Sequence, residues 1–111
     1  MAHTTPLIRQ EQLYLSDQRT PLCAVDSPAW FTWLSTATAF RFASSRRRII
    51  IHGHGPLLTP ISLRKEHRRR GVFWYAYRRA HGHLHKRYVG RTDQLTLARL
   101  NEIAAVLHDC W

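Results

Sequence analysis

Positively charged side chains, the groups that bind phosphate in proteins, are concentrated in the middle of this chain. Residues 41–91 hold 14 of the 17 Lys and Arg residues and one acid, Glu66, so their formal charge is +13. The segment before them has two basic residues against three acids, and the segment after them has one against three. A bound polyanion offsets such local self-repulsion through counterion release, so the composition favours a nucleic acid as partner. A solvated basic face without a ligand is the alternative.

Tyrosine, arginine and lysine recur along two β-rich runs in residues 72–90, which are joined around Ala80-His81-Gly82-His83. This pattern predicts a β-hairpin, and we take His81 and Gly82 as its two-residue turn. Antiparallel pairing then places opposite each other Tyr75 and Tyr88, Tyr77 and Lys86, and Arg79 and Leu84. One face of the hairpin displays Phe73, Tyr75, Tyr77, Arg79, Leu84, Lys86 and Tyr88.

This face has the chemistry to contact a nucleic acid. Tyrosine hydroxyls and cationic heads on one pleated surface reach phosphates and base edges when a sheet lies in the major groove. Tyr75 and Tyr88 have a second interpretation, a cross-strand aromatic pair that stabilises the hairpin without a ligand. A turn longer or shorter by one residue would change the pairing and exchange the faces of some residues.

The other face of the hairpin indicates where the core lies. It carries Val72, Trp74, Ala76 and Val89 near its base, and Arg78, His83, His85 and Arg87 near its tip. A helix approaches a sheet closely only over a small side chain, so Ala76 marks the place where we expect the C-terminal helix to pack.

Two helices and further strands are predicted around the hairpin. Ser27 and Pro28 suit the start of a short helix that runs to about Thr36. Thr96 precedes an amphipathic C-terminal helix with apolar residues at three- and four-residue spacing. Strands are predicted at residues 39–43 and 49–51, and a basic loop at 67–71. Residues 57–66 are predicted to be extended, and Pro60 marks either an edge strand or the start of a strand.

The predicted fold class is therefore α+β, with a small antiparallel sheet of three or more strands packed against a C-terminal helix and a short helix near residues 28–36. A chain of 111 residues fits a single domain. Residues 1–26 are expected as an extended or hairpin lead-in, and residues 27–111 as the sheet and helices.

Several motifs, in this order, resemble a small bacterial module. They occupy residues 27–34, 40–42, 63–68, 73–79, 86–90 and 95–100. The module lies at the amino-terminal end of large LuxR-type or MalT-like ATP-dependent transcriptional regulators. The resemblance implies a DNA-binding role in transcriptional regulation or in a mobile element, and residues 44–59 depart from its pattern.

The order of sheet then helix is also similar to the three-stranded, one-helix arm-type DNA-binding domains of tyrosine recombinases and to plant AP2 domains. Carried over by position, this resemblance implies contacts from Arg64, Lys65, Tyr75, Tyr77, Lys86 and Tyr88. Arg79 on the same hairpin face, with Arg68 and Arg69 in the basic run, completes the set of nucleic-acid-binding candidates. Duplex DNA is the expected partner, and RNA binding and a protein-interaction role are alternatives.

The histidines raise the question of an enzyme. His83-Leu84-His85 resembles the metal motif of HUH single-strand nucleases and transposases, with Tyr88 as a conceivable nucleophile. That family carries its tyrosine on a separate helix, however, and Tyr88 should point to the face opposite the two histidines. His52 and His54 could join them in a zinc site only if the fold brought both loops together. We expect a binding protein without catalytic residues, metal or cofactor, and keep the nuclease as the alternative.

Cysteine usage and hydropathy bear on the compartment. Cys23 and Cys110 each stand alone, without a second cysteine at metal-ligand or redox spacing, and are expected as reduced thiols. The sequence shows no pattern of a signal peptide and no apolar run of membrane-spanning length. These features predict a cytoplasmic protein without a membrane partner, and they leave the target sequence and the oligomeric state open.

Overall fold

One sheet with two helices on one of its faces forms the fold. The computed structural model describes residues 5–15, 19–44, 60–80 and 82–108. The strands are β1 (Leu7–Arg9), β2 (Gln12–Tyr14), β3 (Cys23–Ala24), β4 (Ala39–Phe42), β5 (Ile61–Arg68), β6 (Gly71–Ala80) and β7 (His83–Gly90). The helices are α1 (Pro28–Thr36) and α2 (Leu97–His108), and a 3-10 turn lies at Thr92–Gln94. The predicted α+β class is confirmed.

Within the described residues, the strands form one seven-stranded sheet in the order β3-β2-β1-β4-β5-β6-β7. Neighbouring strands are antiparallel except β1 and β4, which are parallel. Four strands thus extend the sheet beyond the unit β5–β6–β7. In this described sheet, β3 and β7 are the edge strands.

The N-terminal segment, predicted as a hairpin or an extended lead-in, forms the hairpin β1–β2. Ile8 and Leu13 face each other across it, and both are fully buried. Gln10 and Glu11 turn the chain with positive φ angles of 50° and 65°, the backbone conformation of a tight two-residue hairpin connection. The buried pair anchors this hairpin to the core.

Both helices begin where their capping residues predict. The Ser27 hydroxyl oxygen accepts a hydrogen bond from the Trp30 amide at 3.3 Å, and Pro28 stands at the first helical position. The Thr96 hydroxyl oxygen accepts a hydrogen bond from the Arg99 amide at 3.2 Å at the start of α2. The short helix and the C-terminal helix predicted from the sequence are confirmed.

The hydrophobic core lies between the helices and one face of the sheet, called here the inner face. Trp74 and Ala76 are fully buried there, Val89 is almost so, and α2 packs against both strands of the hairpin β6–β7. The helices contribute Trp30, Leu34, Leu100, Ile103, Ala104 and Leu107. The predicted placement of this side of the hairpin in the core is confirmed.

The basic run differs from the sequence prediction. Residues 67–71 were expected as a loop, but β5 continues to Arg68 and β6 begins at Gly71, so only Arg69 and Arg70 form the turn. Glu66, His67 and Arg68 pair with residues of β6, and this pairing satisfies backbone groups that a loop would leave to water. Pro60 directly precedes this internal strand and marks its start. The strand expected at residues 49–51 lies outside the described residues.

Candidate nucleic-acid interface

The hairpin register brings the predicted tyrosine and cation face together. Tyr75 pairs with Tyr88, Tyr77 with Lys86, and Arg79 with Leu84, as the two-residue turn predicts. A bulge follows toward the base of the hairpin, because Trp74 pairs with Gly90 and leaves Val89 as the extra residue. These side chains lie on the face opposite α1 and α2, which we call the open face because no helix in the described part of the chain packs on it.

The open face is cationic and aromatic across the sheet. By strand register it carries Arg9 and Tyr14 on β1 and β2, Arg41 on β4, Arg64, Glu66 and Arg68 on β5, and Tyr75, Tyr77, Arg79, Lys86 and Tyr88 on the hairpin. Among the residues on these described strands, Glu66 is the one acid of this face.

Glu66 is the centre of a polar group that we call the Glu66 cluster, formed with Arg68, Tyr75, Tyr77 and Lys86. One carboxylate oxygen accepts a hydrogen bond from the Tyr77 hydroxyl. The other accepts from the Arg68 guanidinium at 2.5 Å and from the Lys86 ammonium at 3.3 Å. The cluster therefore orients two cations and a tyrosine outward from the sheet.

Ionisation in the Glu66 cluster follows from these contacts. The hydrogen bond from Tyr77, with the charges of Lys86 and Arg68, holds the pKa of the Glu66 carboxyl below its ordinary value. Hydrogen bonds to the Tyr77 hydroxyl and to the Glu66 carboxylate raise the pKa of the Lys86 ammonium. Burial, followed by the neighbouring carboxylate, raises the pKa of Tyr77. At neutral pH Glu66 is thus a carboxylate, Lys86 an ammonium and Tyr77 a neutral phenol.

The aromatic rings of the open face are in contact with its cations. The Lys86 ammonium lies 4.4 Å from the centroid of the Tyr75 ring, and the Arg68 guanidinium lies 5.2 Å from it. Tyr75 and Tyr88 meet edge to face with centroids 5.6 Å apart, so the cross-strand aromatic pair is present. Tyr88 is nonetheless 48% exposed, which leaves much of its ring available to a ligand.

Lys65 does not join the other candidates. It lies on the inner face, where its ammonium donates hydrogen bonds to the carbonyl oxygens of Leu34 at 2.8 Å and Ser35 at 3.2 Å. It also stands 5.3 Å from the ring centroid of Trp74. A cation beside the last carbonyls of a helix stabilises its C-terminus, so these contacts explain Lys65 as a structural residue of α1.

The structure brings together seven of the nine predicted residues on the open face: Arg64, Arg68, Tyr75, Tyr77, Arg79, Lys86 and Tyr88. Arg69 is exposed in the turn between β5 and β6, at one end of that face. Sequence reasoning missed Arg9, Arg41 and Glu66. A local signal existed for Arg41, because it alternates with the buried Phe40 and Phe42 along β4.

The arrangement of the histidines bears on the nuclease alternative. His83 and His85 pair with Ala80 and Arg78 on the inner side of the hairpin, whereas Tyr88 lies on the open face. Among the residues that the structure describes, no group of three or more His, Cys, Asp or Glu side chains could hold a metal ion. His52 and His54 lie outside the described residues. A nucleophile at Tyr88 and a metal at His83 and His85 would be separated by the sheet.

We therefore expect no DNA cleavage. Wild type and Tyr88→Phe should form no covalent protein–DNA adduct with single-stranded or hairpin DNA in the presence of manganese or magnesium. Tyr88→Phe should weaken binding by about 1 kcal/mol, the contribution of one hydroxyl contact. An adduct that forms with the wild type and is absent from the variant would establish the nuclease instead.

The chain matches no protein-family model, and comparisons with curated proteins and with solved structures find no similar protein. Among the described residues, no helix combines the length and the apolar character that crossing a membrane requires.

Proposed function

We propose that this protein binds duplex DNA through the open face, as a module of transcriptional regulation or of a mobile element in the bacterial cytoplasm. The observation that carries the proposal is the separation of the two sheet faces. The inner face is apolar where the helices pack on it, whereas the open face presents Arg, Lys and Tyr side chains to solvent. Cations on such a face neutralise phosphates, and exposed tyrosines and arginines reach base edges.

The shape of the sheet suggests which part enters a groove. Six strand spacings make the sheet about 29 Å wide, which exceeds the major-groove width of about 12 Å. The pairing of β5 with β6 ends at Ser62 and Tyr77, whereas β6 and β7 stay paired up to Ala80 and His83. The hairpin thus continues beyond β5 as a two-stranded ribbon, and the major groove of B-DNA admits such a ribbon.

A titration of the protein against labelled duplex DNA, single-stranded DNA, single-stranded RNA and double-stranded RNA tests the proposal. Duplex DNA should bind most tightly, because the narrow major groove of A-form RNA excludes a ribbon. Tighter binding of either single strand would favour stacking on Tyr75 and Tyr88, and an RNA- or single-strand-binding function, instead. If none of these four nucleic acids binds at low salt, the proposal would be refuted.

Adjacent residues of β7 supply a matched pair of variants for the same titration. Lys86 lies on the open face, whereas Arg87 is exposed on the opposite face, where it pairs with Ala76. Lys86→Ala should weaken duplex binding and reduce the salt slope by about one unit, whereas Arg87→Ala, which removes the same charge, should have little effect. The thermal midpoint of Lys86→Ala should stay close to that of the wild type. Greater sensitivity at Arg87 would show that the other face binds DNA.

A further inference from the structure

The cations of the open face divide into two groups. Arg68 and Lys86 form ion pairs with Glu66, and the Arg9 guanidinium lies 4.4 Å from the ring centroid of Tyr14. Arg41, Arg64 and Arg79 are exposed and, within the described part of the chain, make no ion pair, hydrogen bond or ring contact through their side chains. Their guanidinium groups are thus available to a ligand.

These three arginines line two adjoining depressions of the open face, which we together call the arginine trough. Its larger part, of about 320 Å³, is lined by Ser62, Arg64, Tyr77, Arg79 and Leu84. A smaller part of about 80 Å³ is lined by Thr5, Ala39, Phe40, Arg41, Ser62, Leu63 and Arg64. Ser62 and Arg64 line both parts, so the trough extends from β4 to the tip of the hairpin.

The lining of the arginine trough suits an anion of tetrahedral shape. Each guanidinium offers a planar fork of N–H donors that matches two phosphate oxygens, and the Ser62 hydroxyl adds a donor. No acid lines either part of the trough among the described residues. The Glu66 carboxylate, which would repel an anion, instead contacts Arg68 and Lys86.

We propose that Arg41, Arg64, Arg79 and Ser62 form a phosphate-binding subsite, occupied by a backbone phosphate of the bound duplex. The assignment to backbone phosphate rests on the proposed DNA-binding function. The trough extends from Arg79 on β6 to Arg41 on β4, across two strand spacings, or about 10 Å. When the ribbon lies in a groove of about 12 Å, the phosphates that flank the groove would lie over β4 and β5, beside the ribbon. The arginine trough then holds the backbone phosphate.

Two measurements on the full chain test this subsite. In the first, sodium phosphate is titrated against sodium chloride of equal ionic strength while the side-chain Nε–Hε resonances of the arginines are followed by NMR. Those of Arg64 and Arg79 should shift to saturation with phosphate, and that of Arg87 should not. Shifts no larger than those in chloride would overturn the subsite, whether or not the protein binds DNA.

The second measurement compares two double variants of equal charge in duplex binding. Arg64→Ala with Arg79→Ala should reduce the slope of log affinity against log salt by about two units, whereas Arg70→Ala with Arg87→Ala should leave it nearly unchanged. Equal slopes for both double variants, with wild-type DNA binding intact, would overturn the backbone assignment but not the DNA-binding function. If the NMR titration shows saturation by inorganic phosphate and the two double variants have equal salt slopes, the subsite would be assigned to a free phosphate monoester.

Discussion

The affinity of this protein for duplex DNA should fall steeply with salt, with a slope of log affinity against log salt near −4 to −5. Each phosphate neutralised by a cation releases condensed counterions and contributes about −0.9 to the slope on B-DNA, so about five contacts give this value. A set of this size is present on the open face, namely Arg41, Arg64, Arg68, Arg79 and Lys86. Between 50 and 200 mM salt, affinity should decrease about 250- to 1,000-fold.

Fluorescence anisotropy of a labelled duplex at five or more sodium chloride concentrations measures this slope. A single strand bound through the same number of phosphates should give a shallower slope, because each contact there contributes about −0.7. A flat response would mean that the formal charge of +13 in residues 41–91 is a solvated surface and not a phosphate-binding one. Both the proposed function and the arginine trough's assignment to DNA would then be lost.

The hairpin could be predicted from the sequence because its determinants are local. Two-residue alternation sets which side chains share a face, and Gly82, with φ of 78°, supports a tight turn. These features fix the register from Arg79 to Tyr75 without reference to the rest of the chain. Ala76 gave the remaining clue, since its small side chain indicated the face on which a helix packs.

The placement of Lys65 shows the limit of positions carried over from a resemblance. The resemblance to arm-type and AP2 domains implied a nucleic-acid contact from Lys65, but alternation along β5 puts Lys65 on the same side as the buried Leu63 and puts Arg64 and Glu66 on the other. That signal was present in the sequence. Following this alternation would have placed Lys65 on the inner face, since burial of Leu63 determines the orientation of the strand.

Other features of the open face depend on pairings distant in sequence. Arg9 and Arg41 share this face because β1 lies parallel to β4, with Leu7 beside Arg41. No local pattern predicts a pairing between segments so far apart in the sequence, and residues 43–60 separate β4 from β5. The contacts of Glu66 with Tyr77 and Lys86 likewise require three strands in register. A single acid in a basic run otherwise indicates only a solvated charge.

Truncation of Trp74 should produce the largest loss of stability of any variant considered. Its indole is fully buried and lies with its ring centroid 5.3 Å from that of Phe40, and its N–H donates to the Thr92 hydroxyl at 3.1 Å. Trp74→Ala removes these contacts and leaves a cavity beneath α2, so the free energy of unfolding should fall by about 3 to 5 kcal/mol. Urea denaturation followed by circular dichroism measures it, and Trp74→Phe should be the milder variant.

Enlarging the neighbouring core residue should destabilise the protein by the opposite mechanism. Ala76 is fully buried beneath α2, so Ala76→Leu should force the helix from the sheet and lower the free energy of unfolding by about 1 to 3 kcal/mol. Where either variant remains folded, duplex binding should persist, because the cations that we assign to DNA lie on the other face. Variants at Trp74 and Ala76 that keep wild-type stability but lose DNA binding would contradict this assignment of the two faces. The inner face would then be the ligand surface, and the open face a solvated one.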